Sequence, residues 1–111
     1  MIVGINTYTG LDGLGHKVPD LKGCVNDARA WARALTEHFD FASGDVSVLL
    51  DDEATKRRIV ARLGALLRDA RRGDVLVFTN SSHGTYVTDT DGDESRFDEA
   101  LCPWDCDDRL I

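Results

Sequence analysis

Val75-Leu76-Val77-Phe78-Thr79-Asn80-Ser81-Ser82-His83-Gly84 passes from five strand-forming residues to a polar tip that holds one histidine and a glycine. It predicts a strand over residues 75–79 that ends in a short loop. In open α/β sheets, ligands and catalytic groups gather beyond the carboxyl ends of the strands, where a rigid ladder positions such loops. His83 is therefore the first candidate for a working residue. Gly84 lets the backbone turn sharply and leaves an N–H to point at a substrate oxygen. The plain alternative for His83 is a strand-end imidazole hydrogen-bonded to its neighbours.

Upstream of this strand the chain alternates between the two regular structures. Residues 1–6 form a short apolar, β-rich run, and residues 7–23 a loop with four glycines and one proline. A first helix is expected from about Asn26, capped by Asn26 or Asp27, with Ala28, Trp31, Ala32, Leu35 and Phe39 on its buried stripe. Residues 45–50 read as a second strand, in which Val46, Val48 and Leu50 alternate with Ser47 and Leu49. Thr55 caps a second helix whose apolar face is Ile59, Val60, Leu63, Leu67 and Ala70, and Arg71-Arg72-Gly73 ends it. Strand, helix, strand, helix, strand at this spacing predicts an α/β fold with a parallel sheet and right-handed crossovers. Strand order 2-1-3 puts the helices on opposite faces and opens a crevice between the ends of strands one and three. That crevice brings Cys24 and Asp27 toward Ser81, His83 and Gly84.

With 111 residues, two tryptophans and 42% hydrophobic content, one domain is expected, small for an α/β enzyme. No charged leader precedes an apolar run, and no stretch approaches the ~18 apolar residues of a membrane span, so a cytoplasmic location and no membrane partner are expected. Cysteines at 24, 102 and 106 make an odd set, expected to be free thiols in a reducing compartment. The net charge of −7 is concentrated at one end: residues 1–84 carry 11 acids and 11 bases, whereas residues 85–111 carry nine acids against Arg96 and Arg109. Such a lobe repels nucleic acid and attracts hard cations or basic side chains; a solvated acidic loop is the bland alternative.

Three local patterns admit chemistry as well as plain structural roles. Cys24 is placed near His83 by the crevice, but a small residue packed beneath the first helix is the favoured reading. Cys102 and Cys106 have a spacing that zinc accepts but lack a second ligand pair. Asp89-Thr90-Asp91-Gly92-Asp93 fails as an EF-hand, because aligning its glycine puts Val87 in the first ligand position and Asp98 in the twelfth. Closely spaced carboxylates still favour a divalent cation that ligates several oxygens at once.

Taken together, Leu21-Lys22-Gly23-Cys24-Val25-Asn26-Asp27-Ala28, Ser81-Ser82-His83-Gly84, and Asp91-Gly92-Asp93-Glu94 followed by Phe97-Asp98-Glu99-Ala100-Leu101-Cys102-Pro103-Trp104-Asp105 resemble the metacaspases and their bacterial caspase-like relatives. Val3-Gly4-Ile5-Asn6 also looks like that family's opening segment. The resemblance implies a three-layer caspase-like fold and a cysteine endopeptidase that cuts after arginine or lysine, often with calcium-dependent activity. It implies that His83 is the histidine of a His-Cys dyad, that the Gly84 N–H helps to hold the substrate carbonyl oxygen, and that Asp27 and Ser81 line the pocket for the basic side chain. Asp98 matches a calcium-ligating aspartate, with further ligands from Asp107 and Asp108 or from residues past them, so weak calcium binding that involves Asp98 is expected.

Two departures qualify the match. Ser82 stands where the family more often has glycine, and the small size is kept. The family's catalytic cysteine belongs to an Asp-x-Cys-like segment tens of residues after the acidic loop, and Ile111 comes before any such segment. Residues 1–111 are thus expected to be a C-terminally incomplete peptidase domain, inactive alone, because losing a nucleophile costs on the order of a millionfold in turnover. It is expected to need its missing part or a complementary chain. Two rivals remain: a noncatalytic caspase-like interaction module, and a receiver-like phosphoacceptor that uses Asp51-Asp52 with magnesium.

Overall fold

The computed structural model describes residues 1–93 and 96–107. Three short parallel strands, β1 (Ile2–Gly4), β2 (Val48–Leu50) and β3 (Thr79–Ser81), form a sheet in the order β2-β1-β3. In register, Val3 stands opposite Leu49 on one side and Asn80 on the other. Two helices, α1 (Cys24–His38) and α2 (Lys56–Asp69), complete the α/β unit.

Side chains alternate across β1, and this alternation sorts the core into two layers. Ile2 packs with Ala28 and Leu35 of α1, and with Val48 and Leu50. Val3 and Ile5 face the other way, toward Leu49, Ile59 and the partly buried Leu63 and Leu66 of α2. The helices therefore cover opposite faces, giving the expected three layers. Gly4 is where α1 comes closest: a Cβ there would lie 2.6 Å from both the Ala28 Cβ and the Cys24 carbonyl oxygen.

Element boundaries depart from the sequence expectation for identifiable reasons. Helix α1 starts at Cys24, not Asn26, and has no side-chain cap; Gly23, at φ 101°, turns the chain into the helix, and its carbonyl accepts the Asp27 N–H at 2.8 Å. Strand three pairs over Thr79–Ser81 rather than residues 75–79. Ile2 is registered with Thr79 and the Met1 nitrogen donates to the Val77 carbonyl, so Val75 and Leu76 extend beyond the reach of β1 and are exposed. Strand two is shortened because residues 43–45 form a 3-10 turn. Thr55 does cap α2, its Oγ1 accepting from the Arg58 N–H at 3.3 Å.

The expected apolar stripes also need correction. Trp31 (46% exposed) and Phe39 (63%) on α1, and Val60 and Leu67 on α2, are not buried. Trp31 and Phe39 lie along a groove beside β3, where no fourth strand is found among the described residues. On α2, Leu66 rather than Leu67 reaches the core.

The acidic region, read from sequence as a loop, contains an antiparallel hairpin: β4 (Gly84–Thr88) pairs with β5 (Phe97–Leu101), Gly84 opposite Leu101 and Val87 opposite Asp98. Alternating Thr85, Val87, Asp98 and Ala100 are half-buried, whereas Tyr86, Phe97 and Leu101 are exposed. After β5 the chain returns to the start of α2. The Trp104 N–H bonds the Ala54 carbonyl at 2.9 Å, and Asp105 Oδ1 accepts the Lys56 N–H at 2.8 Å, placing a carboxylate at the helix N-terminus. Cys102 and Cys106 are thereby buried in the α2-side core. Among the described residues, no helix is long and apolar enough to cross a membrane.

Candidate active site

The carboxyl ends of β1 and β3 and the start of α1 meet at one rim of the sheet. Asp27 lies in the first turn of α1, and its Oδ2 accepts a hydrogen bond from Ser81 Oγ at 3.0 Å. Ser81 is the last residue of β3, and the Ile5 N–H donates to its carbonyl at 3.0 Å. His83 follows two residues later, immediately before β4. Asp27, Ser81 and His83 thus gather at the same end, as the 2-1-3 order predicts.

His83 is held at both its backbone and its ring. Its backbone N–H donates to the Tyr8 hydroxyl at 2.9 Å, and its carbonyl accepts the Cys102 N–H at 3.0 Å. The imidazole Nε2 lies 2.8 Å from the Pro19 carbonyl oxygen. A carbonyl offers only lone pairs, so Nε2 carries the proton and, in the neutral ring, Nδ1 carries the free lone pair. Tyr8 packs beside the imidazole with ring centroids 5.0 Å apart. Burial pushes the Tyr8 phenol above its ordinary value, against the smaller opposing effect of the His83 backbone donor.

The hairpin ladder determines where the Gly84 N–H points. Cys102 donates to the His83 carbonyl and Asp89 donates to the Arg96 carbonyl, so pairs at these odd positions are the hydrogen-bonded ones. Gly84–Leu101 is then a non-hydrogen-bonded pair, and the Gly84 N–H is directed away from β5. Gly84 is an exposed residue and directly follows His83.

The loop before α1 is braced by carboxylates. Asp20 Oδ1 accepts the Tyr8 N–H at 3.1 Å, and Lys17 Nζ contacts both Asp20 oxygens at 3.1 Å. The Lys17 ammonium, then the Tyr8 N–H, hold the Asp20 carboxyl below its ordinary value. Asp12 is likewise lowered, chiefly by the His16 N–H. Sequence patterns did not single out Tyr8, Pro19 or Asp20, because a glycine-rich loop has no periodicity from which to read contacts.

The cysteines and the second-strand acids fall into structural places. Cys24, Cys102 and Cys106 are all buried. Cys24 packs at the start of α1 against Gly4, which agrees with the packing role favoured for it. Asp51 Oδ1 accepts the N–H groups of Asn6 at 2.7 Å and Thr7 at 3.0 Å, clamping the end of β1. That engagement gives Asp51 a structural role at the end of β1.

Asp98 on β5 meets Asp89, Asp91 and Asp93 of the hairpin turn, with one carboxylate oxygen of each within 4.8 Å of the others. Asp89 Oδ1 also accepts from the Asp91 and Gly92 N–H groups. Hard oxygen donors at this spacing fit a calcium ion. Asp107 stands apart from this group, its backbone beside Gly10, and Asp108 lies outside the described residues. Sequence reading expected weak calcium binding that involves Asp98 near this acidic run, and the structure brings one carboxylate oxygen from each of Asp89, Asp91 and Asp93 to it.

Comparisons with known proteins agree with this architecture. The family model for the metacaspase, peptidase C14 domain matches residues 1–110. Metacaspase-1 of Scheffersomyces stipitis is 36% identical over 112 aligned positions, covering 95% of this chain and 26% of that protein. Metacaspase-7 of Arabidopsis thaliana is 38% identical, covering 95% of this chain and 26% of its own length. The crystal structure of protein GSU0716 from Geobacter sulfurreducens superposes with a TM-score of 0.76 at 28% identity, covering 95% of this chain and 39% of that one. The chain therefore spans about a quarter of the length of the curated relatives it matches.

Proposed function

The chain belongs to the metacaspase peptidase C14 family, and from that premise we propose that it forms the histidine-bearing part of a cysteine endopeptidase that hydrolyses peptide bonds after arginine or lysine. The observation that carries this reading is the anchoring of His83 Nε2 on the Pro19 carbonyl. It leaves Nδ1 as the atom that takes the proton of an attacking thiol and returns it to the leaving amine. The outward-directed Gly84 N–H is suited to hold the carbonyl oxygen as it gains charge. Asp27, steadied by Ser81, offers a carboxylate to the guanidinium or ammonium of the preceding side chain.

The nucleophile in this reading comes from residues outside the chain. All three cysteines present are buried, which supports this assignment, and so does the fraction of its relatives that the chain spans. The same argument makes residues 1–111 inactive alone and dependent on the rest of the domain or on a complementary chain. Calcium is proposed to bind through Asp98 with Asp89, Asp91 and Asp93, where its charge relieves carboxylate repulsion at the hairpin turn. Calorimetry that shows no calcium-dependent heat, or the same heat for Asp98→Ala, would remove that site.

The test is cleavage of peptide reporters by the protein extended through its downstream cysteine. Cleavage after Arg and Lys that is abolished in His83→Ala supports the proposal; retention of full activity in that variant overturns it. A second reading, a binding module without cleavage, accounts equally for the burial of every thiol in the chain, and cleavage separates the two. Binding of Arg-containing peptides by an extended protein that cleaves none of them would select it.

A further inference from the structure

Tyr8 is one of the largest fully buried side chains, at 2% exposure, yet its polar atom is used: the hydroxyl accepts the His83 N–H at 2.9 Å. Its own N–H donates to Asp20 Oδ1 at 3.1 Å. Asp20 directly follows Pro19, whose carbonyl receives the imidazole Nε2 at 2.8 Å. These bonds close a ring: Tyr8 to Asp20, Pro19 to the His83 ring, and the His83 backbone to Tyr8. Every link of the ring is itself fixed from outside. Lys17 grips both oxygens of Asp20, Pro19 has a locked φ, and the residues before Tyr8 are clamped by Asp51.

We propose that Tyr8 and Asp20 are positioning residues for His83, which together set the distance between its imidazole and the Pro19 carbonyl and so hold the ring in the Nε2–H form. Tyr8 fixes where the His83 backbone sits. Asp20 fixes where the acceptor carbonyl sits. Without either, the imidazole remains in place by packing but loses the single acceptor that distinguishes its two nitrogens, and both neutral forms become populated. A merely structural tyrosine has no such effect on the ring. The proposal rests on reading His83 as the working base, but its geometry stands independently of catalysis.

The experiment is two-bond 1H–15N NMR of the histidine rings in the 111-residue chain near neutral pH, with His83 assigned through His83→Ala and His16 and His38 as internal references. The parent is expected to show His83 as the Nε2–H tautomer. Tyr8→Phe preserves the buried ring volume and removes the hydroxyl. It should mix the tautomers and speed exchange of the His83 amide by about tenfold, while amides of β1 keep their protection. Asp20→Ala, at the surface, should mix the tautomers as well, and Asp20→Asn, which keeps an acceptor oxygen, should restore the parent pattern. An unchanged His83 tautomer in Asp20→Ala overturns the proposal, as does a loss of protection that is uniform along β1 in Tyr8→Phe; if Tyr8→Phe does not fold, the Asp20 pair decides. In the extended, cleaving protein both variants should lower kcat by about tenfold with KM little changed. Mixed tautomers in a protein whose His83→Ala variant still cleaves would sustain the brace and overturn the peptidase reading instead.

Discussion

Ser81 Oγ donates to Asp27 Oδ2 at 3.0 Å, joining the end of β3 to the first turn of α1 across 54 positions of sequence. The bond engages one carboxylate oxygen of Asp27, which lies beside a groove of about 540 Å³ that Trp31 and Asn80 also line. A carboxylate held in this way can pair with the head of a basic side chain.

Asp27→Asn keeps the shape and the Ser81 contact but removes the charge. In the extended, cleaving protein, kcat/KM for Arg and Lys reporters should drop on the order of a hundredfold, the range for stripping one partner from a desolvated charge pair. Because Asp27 is exposed in the free chain, the unfolding midpoint should barely change. Equal kcat/KM for parent and variant would exclude Asp27 from substrate recognition.

Packing of α1 on β1 depends on the missing side chain at Gly4. Gly4→Ala places a Cβ 2.6 Å from the Ala28 Cβ and the Cys24 carbonyl, and neither is the end of a flexible chain. The helix must move outward, at a cost of roughly 1–3 kcal/mol, measurable by urea denaturation. Gly44→Ala, with nothing within 4 Å, is the matched control and should change stability far less.

How much of this was legible from the chain follows from which forces set each feature. Alternation of Val46, Val48 and Leu50 with Ser47 and Leu49, with the helical spacing of Ala28 and Leu35, is a local imprint of burial and carried the element types, whereas the order 2-1-3 followed from covering both faces of a parallel sheet with helices. Propensity misplaced the third strand, because pairing depends on where β1 lies and not on where Val75, Leu76 and Val77 are densest. Trp31 and Phe39 have core-like spacing and yet are exposed, since periodicity reports that a face is apolar without saying what lies against it. Ser81 and His83 came from a short block at a strand end, and Asp27 from the block that opens the first helix. Tyr8, Pro19 and Asp20 are joined through backbone groups, which every residue has and which therefore leave no mark on residue type.

Stability should depend on pH from both ends. Asp20 and Asp12 have folded-state values below those of the unfolded chain, so their contribution is present above the unfolded carboxylate value of about 3.9 and is lost as pH falls through the lower folded values. Tyr8 is raised by burial, so its contribution is full below its ordinary value of 10.0 and fades as pH climbs through the higher folded value. Thermal midpoints recorded from pH 2 to 11 should therefore fall at both extremes, and Tyr8→Phe should flatten the alkaline limb. An alkaline limb of the same slope in that variant would show that another group controls it.

The outer edge of β3 and the apolar groove beside it have consequences for association. Thr79 Oγ1 and Asn80 Oδ1 are buried without a hydrogen-bond partner among the described residues, and Trp31 and Phe39 present exposed rings along the same side. Unpaired strand edges next to apolar surface favour pairing with another chain. The 111-residue protein should therefore elute above its 12.2 kDa monomer mass in size-exclusion chromatography, increasingly so as concentration rises. Phe39→Lys replaces exposed apolar surface with a charge, and a cation suits the C-terminal end of α1, so this change should restore the monomer without loss of helix content. A parent that stays monomeric at every concentration, with no binding of a hydrophobic dye, would show that the edge is protected by the fold itself.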